Sequence, residues 1–130
     1  MHRSRLSTVL IDTPDAEASA AFWSAALAAP AKPVPGEDQF TTLEGALPGL
    51  VTAVQRLDTA AGEGGEPRIH VDIETDDLDA ETERLLALGA TEVSRWLECR
   101  TLRVPGGHIV CVIPVHSDRA AFEAAANVWE

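Results

Sequence analysis

The stretch Arg68-Ile69-His70-Val71-Asp72-Ile73-Glu74, running into Thr75-Asp76-Asp77-Leu78-Asp79, decides how this chain is read. Ile69, Val71 and Ile73 alternate with Arg68, His70, Asp72 and Glu74, the period of two that marks a strand with one apolar and one polar face. The spacing then becomes helical. Thr75 or Asp76 serves as N-cap, acidic residues fill the first turn, and Leu78, Thr82, Leu85 and Leu88 recur until Gly89 ends the run. A strand whose polar face carries His70 and Asp72, with a helix over its apolar face, is half of a site.

The other half stands sixty-two residues earlier. Leu6-Ser7-Thr8-Val9-Leu10-Ile11-Asp12 is again a short strand, followed by Thr13-Pro14-Asp15 and a helix-compatible run from Ala16 to about Ala28. Asp15 follows Thr8 by seven residues, as Asp77 follows His70, and Val9 and Ile11 match Val71 and Ile73 in that register. This is a duplicated strand–helix unit. Two copies predict a pseudo-twofold domain, not a solenoid.

The chain between and after the two copies completes them. Three prolines in Pro30-Ala31-Lys32-Pro33-Val34-Pro35 forbid a helix and suit an edge strand. Gln39–Leu43 and Leu50–Leu57 read as further strands. Residues 58–67, rich in glycine and alanine, form a linker. After the second helix, strands are expected near Thr91–Ser94, Cys99–Arg103 and His108–Ile113, then a helix over Arg119–Trp129 capped by Ser117 or Asp118. Phe122 and Trp129 on that helix form a packing stripe for its own sheet or for a second subunit. The boundaries are 5–57 for module one, 68–115 for module two and 118–129 for the last helix, within one domain spanning 1–130.

At 130 residues the chain can bury roughly two-thirds of its unfolded surface in one core. Its 45% hydrophobic and 24% charged residues are those of a soluble globular protein. A net charge of −11 opposes nucleic acid or an anionic membrane as partner. No apolar run suits a signal peptide or a membrane span, so a cytoplasmic location is expected. Nine arginines against the single Lys32, with abundant alanine, fit a bacterial source of high GC content. Cys99 and Cys111 are then expected as thiols. An even-numbered loop through Val104–Gly107 would set Arg100 opposite Cys111 and put the two cysteines on opposite faces, which disfavours a disulfide.

These stretches resemble the vicinal oxygen chelate superfamily, which includes glyoxalase I, bleomycin-resistance proteins and extradiol dioxygenases. Val9–Asp15 with Phe22-Trp23 resembles its opening strand and helix. Val54–Leu57 and Arg68–Asp72 resemble the joint between its halves, Thr75–Ala80 with Leu86–Ala90 its second helix, and Pro105-Gly106-Gly107-His108 the turn into its last strand. The resemblance covers Leu6 to Val115. It implies an α+β fold of two tandem βαβββ modules about a pseudo-twofold axis, a mixed sheet curled around a pocket, with a C-terminal helix added. It also implies a homodimer.

Metal-using members hold a cation with four strand residues, and by resemblance those positions are Thr8, Gln55, His70 and Cys111. Only His70 is a sound ligand; Thr8 is a neutral hydroxyl, Gln55 a weak carbonyl donor and Cys111 a thiol in an apolar strand. No cofactor is therefore expected, and a divalent metal, if held, would use His70, Gln55 and Cys111. The expected ligand-lining residues are Thr8, Leu10, Ala53, Gln55, His70, Asp72, Trp96, Arg100, Ile109 and Cys111, with His70 and Asp72 as acid–base candidates. The bland readings weigh against each. His70 can be a hydrogen-bonded core residue, Asp12 a carboxylate paired with an arginine, Arg100 solvated, Trp96 a packing or interface residue and Cys111 a small buried hydrophobe.

Two functional classes follow. One is a metal-free small-molecule-binding protein of the resistance or sequestration kind. The other is a metal-dependent lyase, isomerase or dioxygenase using His70 with Gln55 or Asp72, and a metal-free acid–base enzyme using His70 and Asp72 lies between them.

Overall fold

A computed structural model describes residues 1–57 and 66–130, so most of the expected linker lies outside the described residues. The elements are β1 (His2–Thr13), α1 (Ala16–Leu27), β2 (Ala31–Val34), β3 (Glu37–Leu43), β4 (Val51–Arg56), β5 (Arg68–Thr75), α2 (Leu78–Ala87), β6 (Thr91–Trp96), β7 (Cys99–Arg103), β8 (Ile109–Pro114), α3 (Arg119–Ala125) and β9 (Asn127–Trp129). The fold is α+β, with the order βαβββ occurring twice. The repeat shows in its capping: Asp15 accepts from the Ala18 N–H at 3.2 Å and Asp77 from the Ala80 N–H at 3.0 Å. Each thereby satisfies a helix N–H that has no partner within its own helix. Asp77, not Thr75 or Asp76, is thus the second cap, while the Thr75 hydroxyl accepts from the Asp77 N–H at 3.1 Å.

Two compact units divide the chain, one of Thr8–His70 and one of Met1–Ser7 with Val71–Glu130. In the Thr8–His70 unit, β4 runs parallel to the second half of β1 and antiparallel to β3, and β3 carries the proline-bearing strand β2. Ile11 pairs with Val54 and packs with Ala20, Ala29 and Leu43 under α1. By strand alternation, Thr8, Leu10 and Asp12 with their partners Val51, Ala53 and Gln55 occupy the opposite face.

The other unit repeats the pairing, with β8 parallel to β5 and antiparallel to β7, and β7 antiparallel to β6. Leu102, Val110, Val112 and Ala90 form its core, with Ile73, Leu78 and Leu85 packed against them. Arg103 pairs with Ile109, leaving a five-residue connection, and Thr101 lies opposite Cys111. The odd loop shifts the register by one from the expected pairing. Cys99 therefore shares a face with Cys111, contrary to the sequence expectation, because a one-residue slip inverts every side chain.

The C-terminal helix is also shorter than expected. α3 ends at Ala125, Ala126 is extended, and Asn127–Trp129 pair with His2–Ser4 of β1. β1 begins four residues before the predicted strand, and the added length gives the last residues a ladder to join. Trp129 donates from its indole N–H to Ser4 Oγ at 2.9 Å and stacks on Arg84, 3.8 Å from the ring centroid. Phe122 is fully buried. Phe122 and Trp129 therefore do not form one helical stripe, because the helix on which both were expected ends before Trp129.

Two glutamates in this unit are fully buried and fully partnered. Glu74 accepts from Arg5 Nε at 2.8 Å, from Ser117 Oγ at 2.5 Å and from the His116 N–H at 3.1 Å. Glu81 accepts from Arg84 at 2.8 and 2.9 Å and meets His2 Nε2 at 2.9 Å. Burial alone would raise both carboxyls, but these hydrogen bonds outweigh it and hold both below the ordinary value of 4.5. A depressed folded-state value gives stability that is present above the unfolded value and lost as pH falls through the folded one. The urea midpoint should therefore decline once pH drops below about 4.5. Glu81→Gln should lower the midpoint near pH 7 and flatten this acid limb; a wild-type midpoint constant down to about pH 3 contradicts the assignment.

Candidate functional site: a buried aspartate–histidine pair

Asp12 ends the inward-facing row of β1 and is 1% exposed. An ionised carboxylate out of water needs donors. Two come from the start of β5. His70 Nδ1 lies 2.5 Å from Asp12 Oδ2, and Arg68 Nε lies 3.4 Å from the same oxygen. The His70 side chain is 10% exposed. An ionised carboxylate only accepts, so the proton in this contact is carried by Nδ1. Asp12 Oδ1 is buried and has no hydrogen-bond partner among the described residues. The arginine partner of Asp12 was anticipated. The histidine was not, since fifty-eight residues separate the pair and no motif links them.

The same face of this unit carries Thr8 (6% exposed), Leu10 (3%) and Ala53 (3%), which form its floor, and the half-buried Gln55. A cavity of about 340 Å³ opens elsewhere, lined by Ile11, Thr13, Ser19, Trp23, Pro67 and Ile69 and bordered by Asp12 and Arg68. It shares Ile11 and Trp23 with the α1-covered core and does not reach His70.

In the other unit Asp72 is the register partner of Cys111, its carboxylate within 4.8 Å of the thiol sulfur. His70 precedes Asp72 by two residues on the same strand. Imidazole, carboxylate and thiol are residue types that can hold a divalent cation. The Cys111 thiol is pushed far above its ordinary range, first by its hydrogen bond with the Cys99 sulfur, then by burial and by charge at Cys99 and Asp72. The Thr101 hydroxyl, 3.7 Å from the sulfur, acts in the other direction. Ile109 is half-buried beside Arg103. Trp96, the partner of Cys99, is 74% exposed. Arg100 pairs with core residue Val112 and donates to the Leu97 and Cys99 carbonyls at 2.8 and 3.4 Å.

The family model for the glyoxalase-like domain matches residues 8–113, most of the chain. The chain belongs to the glyoxalase-like domain family. It is thereby a member of the vicinal oxygen chelate superfamily. Among solved structures, this glyoxalase-like chain is similar to an NAD-dependent benzaldehyde dehydrogenase from Legionella pneumophila (TM-score 0.60, 10% identity, covering 83% of this chain and 97% of that one). It is also similar to the Streptomyces coelicolor methylmalonyl-CoA epimerase in complex with 2-nitronate-propionyl-CoA (0.54, 15%, 87% and 98%). A third is the methylmalonyl-CoA epimerase of Mycobacterium tuberculosis (0.51, 17%, 89% and 91%). At these identities the likeness is one of fold. No curated protein matches the chain.

Members of this superfamily often use a divalent metal. In this glyoxalase-like protein His70, Asp72 and Cys111 are residues of the types that could hold one. Of the other positions taken from the resemblance, Thr8 is a buried hydroxyl; His70 also has Nδ1 engaged by Asp12, and the Cys111 thiol is pushed up. Gln55 offers a neutral oxygen only. A nitrogen-15 NMR spectrum of His70 should show the Nδ1–H tautomer in the native protein. Asp12→Asn should let it shift to Nε2–H; an Nε2–H tautomer in the wild type would contradict the geometry.

Proposed function

We propose that this protein binds a small organic molecule on the face carrying Thr8, Leu10, Ala53, Gln55 and His70, and that it does so without an intact metal centre. The observation that carries the reading is the Asp12–His70 hydrogen bond, which fixes the imidazole ring on this face. Leu10 and Ala53 supply an apolar floor and Gln55 an amide that can both donate and accept, the mixed lining of a small-molecule site. The electrostatic balance of the chain, at −11, gives no attraction for nucleic acid.

One observation favours a second reading. A histidine oriented by a buried carboxylate is the arrangement of a general base, so proton abstraction by His70 Nε2, with Asp12 rather than Asp72 as the orienting group, is the enzymatic alternative. Both readings predict that protein purified without a histidine tag carries far less than one equivalent of zinc, nickel, manganese or iron, and keeps its melting temperature after chelation. Stoichiometric metal that His70→Ala removes would overturn them. A panel of small organic acids, amides and aromatics should include compounds that raise the melting temperature of the wild type but not of His70→Ala or Gln55→Ala. A bound compound that exchanges a carbon-bound proton with deuterated solvent, only when His70 is present, would select the second reading.

A further inference from the structure

The odd-numbered β7–β8 connection has placed two thiols together. Thr101 opposes Cys111, and Cys99, two residues before Thr101 on β7, stands on the same face of the sheet. No disulfide joins them, and both residues are half-buried. Diagonal neighbours across an antiparallel pair have Cβ atoms roughly 7 Å or less apart. A disulfide needs Cβ atoms about 3.5–4.5 Å apart, so closure requires the Cys99 end of β7 to move a few ångströms toward Cys111, with rotation about χ1 then aligning the sulfurs. That shift is available at one end of β7, because the Trp96–Cys99 hairpin that precedes it is exposed and turns through Leu97 at φ +51°.

We propose that Cys99 and Cys111 form an oxidant-responsive dithiol, a modification site that cycles between two thiols and an intrachain disulfide. The oxidant is hydrogen peroxide. The Cys99 sulfur attacks the peroxide, one oxygen is transferred, and the other leaves as water, giving a sulfenic acid. Cys111 sulfur then attacks that sulfenic sulfur, the S–O bond breaks, and the hydroxyl departs with the Cys111 proton as a second water. Two thiols and one peroxide become one disulfide and two waters, and a reduced dithiol reverses the change. Asp72 is Cys111's register partner on β5, so closure alters the polar face at that strand. The inference stands on unit geometry alone and does not require the proposed binding function.

The test uses the whole chain, reduced and then freed of metal by chelation, exposed to hydrogen peroxide near stoichiometry. Intact mass should fall by two hydrogens, neither cysteine should be alkylated by iodoacetamide in denaturant, and peptide mapping should join Cys99 to Cys111. Dithiothreitol should restore both thiols. Cys111→Ser should instead trap a sulfenic acid at Cys99 that reacts with dimedone. Addition of oxygen without loss of two hydrogens, a disulfide between two chains, or two thiols still open to alkylation would each overturn the proposal. The wild-type mass decides without the variant.

Discussion

A carboxylate withdrawn from water must be met by donors, and that requirement organises much of this molecule. Asp12, Glu74 and Glu81 are each 0–1% exposed. Each is held by an arginine and contacted by a histidine: Asp12 by Arg68 and His70, Glu74 by Arg5 and His116, Glu81 by Arg84 and His2. Three of the participating residues, His2, Arg5 and Asp12, lie on β1. The strand is thus bound to its surroundings by charge as well as by its backbone ladders. Removing one partner of such a buried pair leaves an uncompensated charge, at a cost of about 3–5 kcal/mol, and this keeps the partners in place.

The same requirement shapes the chemistry. Glu74 and Glu81 use their oxygens within hydrogen-bonded networks and hold structure. Asp12 does the same for Arg68 but also fixes the ring of His70 through Nδ1. A carboxylate so placed orients an imidazole without any other group.

Period-two and helical spacing were enough to place the two βαβββ modules, because both helices and their covered strands carry one-sided apolar patterns. Asp15 and Asp77, at equal distances from Thr8 and His70, revealed the duplication, and both prove to be N-caps. Prolines at 30, 33 and 35 marked the segment of β2, which pairs only with β3 among the described strands. What escaped the sequence were quantities set by long-range pairing. The parity of the β7–β8 loop decided whether Cys99 faces Cys111, and five residues serve there as easily as four. The helical pattern through Trp129 lost to a strand because the first residues of β1, remote in sequence, offered a ladder. The Asp12–His70 bond joins residues whose types were both noted but whose contact no local pattern encodes.

The account rests on Asp12 and His70 acting as one unit, and a double-mutant cycle measures that directly. Chemical denaturation of the wild type, Asp12→Asn, His70→Gln and the double variant should yield a favourable coupling of about 0.5–3 kcal/mol, as for residues in direct contact. Effects that add to within about 0.3–0.5 kcal/mol would show the two side chains to be independent and would contradict the account.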